Sequence, residues 1–214
     1  MPTVPNFNGI DGLTGAQVLR SASEALRKAP SVHLAGTVNK SQIDLRIDSS
    51  GNCEGRITEG GTNVDLVKQG EKVWLKPDHA FWVQSVGTQA AQVEALVGNR
   101  YIVTDSSNAE FGSLAATCDI AAVADSMTED SGGVTVSKGA QREVRGLPAL
   151  ELVRTDPREG RSQFYVARTG EPYPLEIHGM DEGDPAGVVL SEYGKPFTLH
   201  VPPAAETLDA AQLG

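Results

Sequence analysis

The sequence predicts an α+β fold: a large curved antiparallel sheet of roughly ten or eleven strands, covered on its concave face by about three helices. Three observations carry this expectation. Short alternating segments follow one another from Ser31 to Lys76 and again from Val134 to His200, with a helical stretch between the two runs. Turn signals recur every eight to ten residues, too closely for the long crossovers that parallel strands need. From Gln42 to Ser49 the alternation is nearly complete, with Ile43, Leu45 and Ile47 in one phase and Asp44, Arg46 and Asp48 in the other. Successive strand side chains point to opposite faces, so one face is wet and the other apolar. Such a sheet twists and curls, and its apolar side must be covered.

The elements follow in order. Residues 1–13, rich in Pro, Gly and Asn, read as a flexible leader, residues 14–203 as a single domain, and residues 204–214 as a tail that frays or forms a marginal helix. A helix starts near Thr14, gathers Val18, Leu19, Ala22 and Leu26 on one face, and stops at Pro30. Five strands follow: SVHLAGTVN, QIDLRIDS, CEGRITEG, NVDLVKQ and KVWLKP, separated by SSGN, Gly60-Gly61 and Gln69-Gly70-Glu71. After Pro77 the period changes. DHAFWVQ is a short helical or irregular piece, and TQAAQVEALVG is a helix carrying Val93, Leu96 and Val97. Residues 99–110 read as a polar loop, and Phe111 to Met127 as one helix bearing Leu114, Cys118, Ile120 and Val123. TEDSGG restarts the meander, which runs from VTVSKGAQREV to FTLHV and ends at Pro202-Pro203.

Composition narrows the function. The 214 residues carry 39% apolar and 5% aromatic side chains and a formal net charge of −10. That charge argues against a nucleic-acid partner and against electrostatic docking on anionic membranes, both of which need clustered Lys and Arg. No run approaches the roughly 18 apolar residues of a membrane span. The first residues lack the basic and apolar regions of a signal peptide. The protein is therefore cytosolic, or its leader lies upstream. Cys53 and Cys118 are the two cysteines. Two separate buried thiols suit a cytosolic chain; one disulfide suits an exported one, and the disulfide is our expectation because other features point outside the cell.

No motif carries catalysis. The patterns GxSxG, GxGxxG, a Walker loop and HExxH are absent, so neither an enzyme nor a cofactor is expected. His33 and His178 fall on wet strand faces, and His79 and His200 lie far from them and from each other in sequence, so no metal site is expected. Asp181, Glu182, Gly183 and Asp184 lack the ligand spacing of a calcium loop and read as a solvated hairpin tip, as do Glu129 and Asp130. Trp74, Phe81, Trp82 and Tyr101 read as packing residues.

Particular stretches carry a resemblance. REVRGLPALELVRT, RSQFYVARTGEPYPLEIHG and LSEYGKPFTLHVPPAAETL, together with LTGAQVLRSASEALRKAPSVHLAGTV and GEKVWLKPDHAFW, resemble the LolA/LppX/LprG-like lipoproteins, particularly those of actinobacteria. The positions of Cys53 and Cys118 also look like cysteines of that group. The resemblance covers about residues 13–210 and rests on turn and packing motifs. It implies an unclosed β-barrel wrapped over helices, an apolar cavity between them, and an exported monomer that carries acyl chains of lipids or lipoproteins. In relatives a lipidated N-terminal cysteine is often the anchor; this sequence lacks that cysteine and the leader, so lipid anchoring to the cell membrane is an expectation about the natural precursor. Alternation selects the residues expected to line the cavity: Leu34, Ile43, Leu45, Ile47, Val64, Leu66, Val73, Leu75, Phe164, Val166, Leu175 and Ile177, with Leu96 and Leu114 on the helical lid. The rival is an envelope interaction or regulatory module whose own side chains fill the concavity.

Overall fold

Thr14 opens helix α1 (Gly15–Arg27) with a reciprocal cap. Its hydroxyl accepts from the Gln17 N–H, and the Gln17 side chain accepts from the Thr14 N–H at 2.9 Å, satisfying donors that the first turn leaves unpaired. The computed structural model containing this helix describes residues 6–38, 40–108, 112–130, 132–180 and 186–213. The acidic turn at Asp181, Glu182, Gly183 and Asp184 lies outside the described residues, as does Phe111.

Among the described residues one sheet holds twelve strands. The first meander comprises β1 (Ser31–Val38), β2 (Ser41–Asp48), β3 (Cys53–Glu59), β4 (Thr62–Gln69) and β5 (Lys72–Pro77). The chain then forms helices α2 (His79–Val86) and α3 (Ala90–Val97), strand β6 (Tyr101–Asp105), and helices α4 (Gly112–Ala116) and α5 (Ile120–Thr128). The second meander comprises β7 (Thr135–Val144), β8 (Leu147–Asp156), β9 (Gly160–Ala167), β10 (Pro174–Gly179) and β11 (Gly187–Ser191), and β12 (Thr207–Asp209) follows near the C-terminus. The spatial order is β12-β6-β5-β4-β3-β2-β1-β11-β10-β9-β8-β7. Antiparallel pairing of β1 with β11 fuses the meanders, with Leu34 opposite Leu190. Helices lie on the concave face: α1 packs on α5 and against β7, β9 and β10, and α2 packs on β4.

Neighbouring strand backbones approach closely at two strand glycines. A Cβ at Gly55 would overlap the Asp44 carbonyl oxygen and sit 2.9 Å from Leu45 Cα; one at Gly36 would overlap the Gly187 carbonyl oxygen. Gly55→Ala should therefore cost about 2 kcal/mol through forced strand separation. Gly12→Ala, with nothing within 4 Å of the added carbon, is the near-neutral control. Urea midpoints of the two variants compare them; equal midpoints would refute the steric argument.

Several elements depart from the sequence reading. The 99–110 stretch contains β6, because β5 offers it an open edge: Trp74 pairs with Val103 and Leu75 with Ile102. FTLHV is not a strand. By then β1 already has β2 and β11 as neighbours, so no edge remains for it beside β1. Instead the segment is fastened to β1 and β3, with the Ser31 hydroxyl donating to the Lys195 carbonyl at 2.7 Å and Glu54 accepting from the His200 N–H at 2.8 Å. The tail then pairs in parallel with β6 and buries Leu208 against Trp82, Val97 and Ile102. The expected single helix from 111 to 127 breaks at Cys118, and Asp119 caps α5 by accepting from Ala121 and Ala122. Residues 6–13 are docked rather than loose. Ile10 is buried, Asn8 donates to the Ala167 carbonyl at 3.0 Å, and Asp11 makes a two-oxygen pair with Arg168. That hydrogen-bonded guanidinium holds the Asp11 carboxyl below its ordinary range.

Candidate functional site

The inward phase of both meanders forms one continuous apolar layer. Leu34, Leu45, Ile47, Val64, Leu66, Val73, Leu75, Phe164 and Val166 are buried in a single cluster, with Ile43, Leu114 and Ile177 half-buried against it. The cross-strand pairs Leu34–Leu45, Ile57–Val64 and Leu66–Leu75 build it row by row. Twelve of the fourteen residues chosen by alternation thus meet in space.

The other two lie elsewhere. Leu175 belongs to a separate cluster with Val144, Ala149 and Ala167. A register shift between Pro174 and Glu176 inserts it as an extra residue: Pro174 faces Val166 and Glu176 already faces Tyr165. Such a bulge turns two successive side chains to one side of the sheet, so strict alternation fails at Leu175. Leu96 on α3 is 47% exposed rather than facing the interior. Val97 and Ala90 supply the buried side of that helix instead, in the second cluster with Trp82 and Ile102.

Sequence reasoning missed Ile57, Leu150, Leu152 and Leu190 as members of the inner layer. The signal was present in LPALELVRT, where Leu150 and Leu152 alternate with Glu151 and Val153. From above, α1 contributes Val18, Leu19, Ala22 and Leu26, and the α4–α5 layer contributes Ala115, Ile120, Ala124 and Met127. Leu45, Ile47, Leu66, Leu75 and Val166 have no surface that water can touch. These strand residues share one buried cluster with the apolar faces of α1, α4 and α5.

Polar groups mark the borders of this layer. Cys53 at the start of β3 is joined to Cys118 between α4 and α5, with their Cα atoms 5.5 Å apart. The bond pins the helical layer to the sheet. At the other end of the insert Asp78 caps α2, accepting from Phe81 N–H at 2.8 Å and from both Asn63 nitrogens. Desolvation opposes its charge, but the bonds from Phe81 and Asn63 outweigh it and hold the carboxyl below the usual range. Tyr193 packs on the rim, stacked on Tyr173 with ring centroids 3.9 Å apart, and burial pushes its phenol far above its ordinary value. In the phase of Leu150 and Leu152 sits Arg154, buried with Asp156 at 2.7 Å. Among the described residues no group of His, Cys, Asp or Glu is arranged to hold a metal, and no helix is long and apolar enough to cross a membrane.

No protein-family model matches the chain, and no curated protein matches it. Solved structures do. LprF of Mycobacterium bovis superposes with a TM-score of 0.61 at 11% identity, covering 88% of this chain and 96% of its own. The lipoprotein LppX of Mycobacterium tuberculosis follows at 0.56 and 12% identity, covering 86% and 97%. The chain has the fold of LprF and LppX. The LppX-like fold accounts for the unclosed, antiparallel-rich sheet and its helical layer; at these identities the likeness is one of architecture.

Proposed function

We propose that this protein binds the acyl chains of a lipid or lipoprotein outside the cytoplasmic membrane, holding them between the curved sheet and α1, α4 and α5. One observation carries the reading: the inner face is apolar across both meanders, in an architecture shared with LprF and the lipoprotein LppX. Burial of a chain supplies about 0.8 kcal/mol per methylene, so even partial enclosure gives useful affinity. Because the strand residues are sealed, loading requires the helical insert to move. The Cys53–Cys118 bond anchors it between α4 and α5, so α2–α3 on one side and α5 on the other are the parts that swing. The reading involves no covalent chemistry, and an acyl-ester hydrolysis screen is expected to be blank.

Native mass spectrometry of the intact chain tests the proposal. The expected result is a lipid adduct that survives purification or forms on incubation with mixed acyl lipids. A protein that takes up no lipid under either condition would overturn the carrier reading. The sealed state of Leu45, Ile47, Leu66 and Leu75 favours a second reading, an envelope interaction module with a filled interior. That reading expects no adduct together with a protein partner retained from envelope extract.

A further inference from the structure

A cleft of about 480 Å³ opens between α1, the end of α5 and the first residues of β7, a size typical of small-molecule sites. Its floor is apolar and continuous with the interior: Leu19 and Met127 belong to the main buried cluster, and Val136 packs against it. The rim carries both charges. From α1 come Arg20, Glu24 and Arg27, and from the residues after α5 come Glu129 and Asp130. Arg27 is already neutralised by Asp125 of α5. Arg20 is exposed, and among the described residues neither it nor Glu129 forms an ion pair, although both border one cleft. At the base, Arg154 donates from Nη2 to the Glu129 carbonyl at 2.6 Å, while its buried Nε has no hydrogen-bond partner among the described residues. A buried donor without an acceptor is costly.

We propose that this cleft is a headgroup site for a zwitterionic phospholipid, a refinement that rests on the acyl-carrier reading. A simple anion would meet Glu24, Glu129 and Asp130, and a simple cation would meet Arg20. A head with phosphate and ammonium a few atoms apart satisfies both signs at once. The phosphate lies towards Arg20, and the ammonium lies towards Glu129 and Asp130. A shift of the linker after α5 would release Arg154 Nη2 from the Glu129 carbonyl; one phosphate oxygen would then replace that carbonyl at Nη2 and a second would supply the acceptor that Nε lacks. The acyl chain attached to that head then runs over Leu19 and Met127 into the inner layer.

The test uses chain-free glycerophosphoethanolamine, followed through the arginine Nε–H signals of the full-length protein by NMR. Saturable shifts of Arg154 and Arg20 are expected. Arg20→Gln, an exposed change that leaves folding intact by circular dichroism, should weaken binding about tenfold by removing a charge-assisted contact. Glu129→Gln should weaken glycerophosphoethanolamine but not glycerol phosphate, which separates a zwitterion site from a plain phosphate site. No Arg154 shift, or equal affinity in Arg20→Gln, overturns the headgroup site. Because the probe has no acyl chain, that failure is distinct from a failure to take up lipid. Equal weakening of both ligands by Glu129→Gln would equally overturn the zwitterion assignment.

Discussion

Replacing Cys53 and Cys118 together by alanine is expected to lower the unfolding free energy by about 4 kcal/mol. The bond closes a 65-residue loop, and in the chain-entropy account an unfolded chain freed of such a loop gains that much. Both residues are fully buried, and their Cα atoms stand 5.5 Å apart, within the usual range for a disulfide. The loss should be uneven. α4 and α5 are short, and helices of their length do not persist alone in water, so amide exchange across 112–130 should rise more than in β8 and β9. Denaturant midpoints and exchange mapping read both effects. Intact mass after alkylation without reductant checks the premise: two labelled thiols in the untreated protein would remove it.

The second large effect is expected from Asp156→Ala, at about 3 kcal/mol. Asp156 accepts from the Arg154 guanidinium at 2.7 Å and from the Arg158 and Glu159 N–H groups. Its removal strands a buried guanidinium and also opens the turn between β8 and β9. Glu159 still reaches Arg154 at 3.2 Å, but it is half-exposed, so it offsets only part of the loss. Arg154→Met in the same chain should recover stability, since an apolar pair removes the stranded charge. The turn contribution stays lost in both variants. A chemical denaturation cycle over the single and double variants separates the two parts; full additivity would mean that the side chains do not interact.

Much of the fold was legible because it depends on local rules. The N-cap at Thr14 and the stripe at Val18, Leu19, Ala22 and Leu26 specify α1 from spacing alone. The first five strands follow from alternation and from glycine turns, and twelve of the fourteen residues picked as cavity lining lie in or against one buried cluster. The misses share a cause: each depends on something distant in sequence. YIVTD becomes a strand because β5 has an open edge, and FTLHV does not because β1 has none. Leu175 changes face because the β10 register slips by one residue, which only pairing with β9 reveals. Arg154 did leave a trace, an arginine in the phase of Leu150 and Leu152.

By itself, then, the sequence determined which side of each strand is apolar and where most turns fall, since both follow from side-chain period and backbone freedom within a few residues. Tertiary structure alone decided which strand has a free edge, where β10 slips, and how completely α1, α4 and α5 seal the inner face. Those outcomes come from competition for partners among segments far apart in the chain, and no local pattern records who wins.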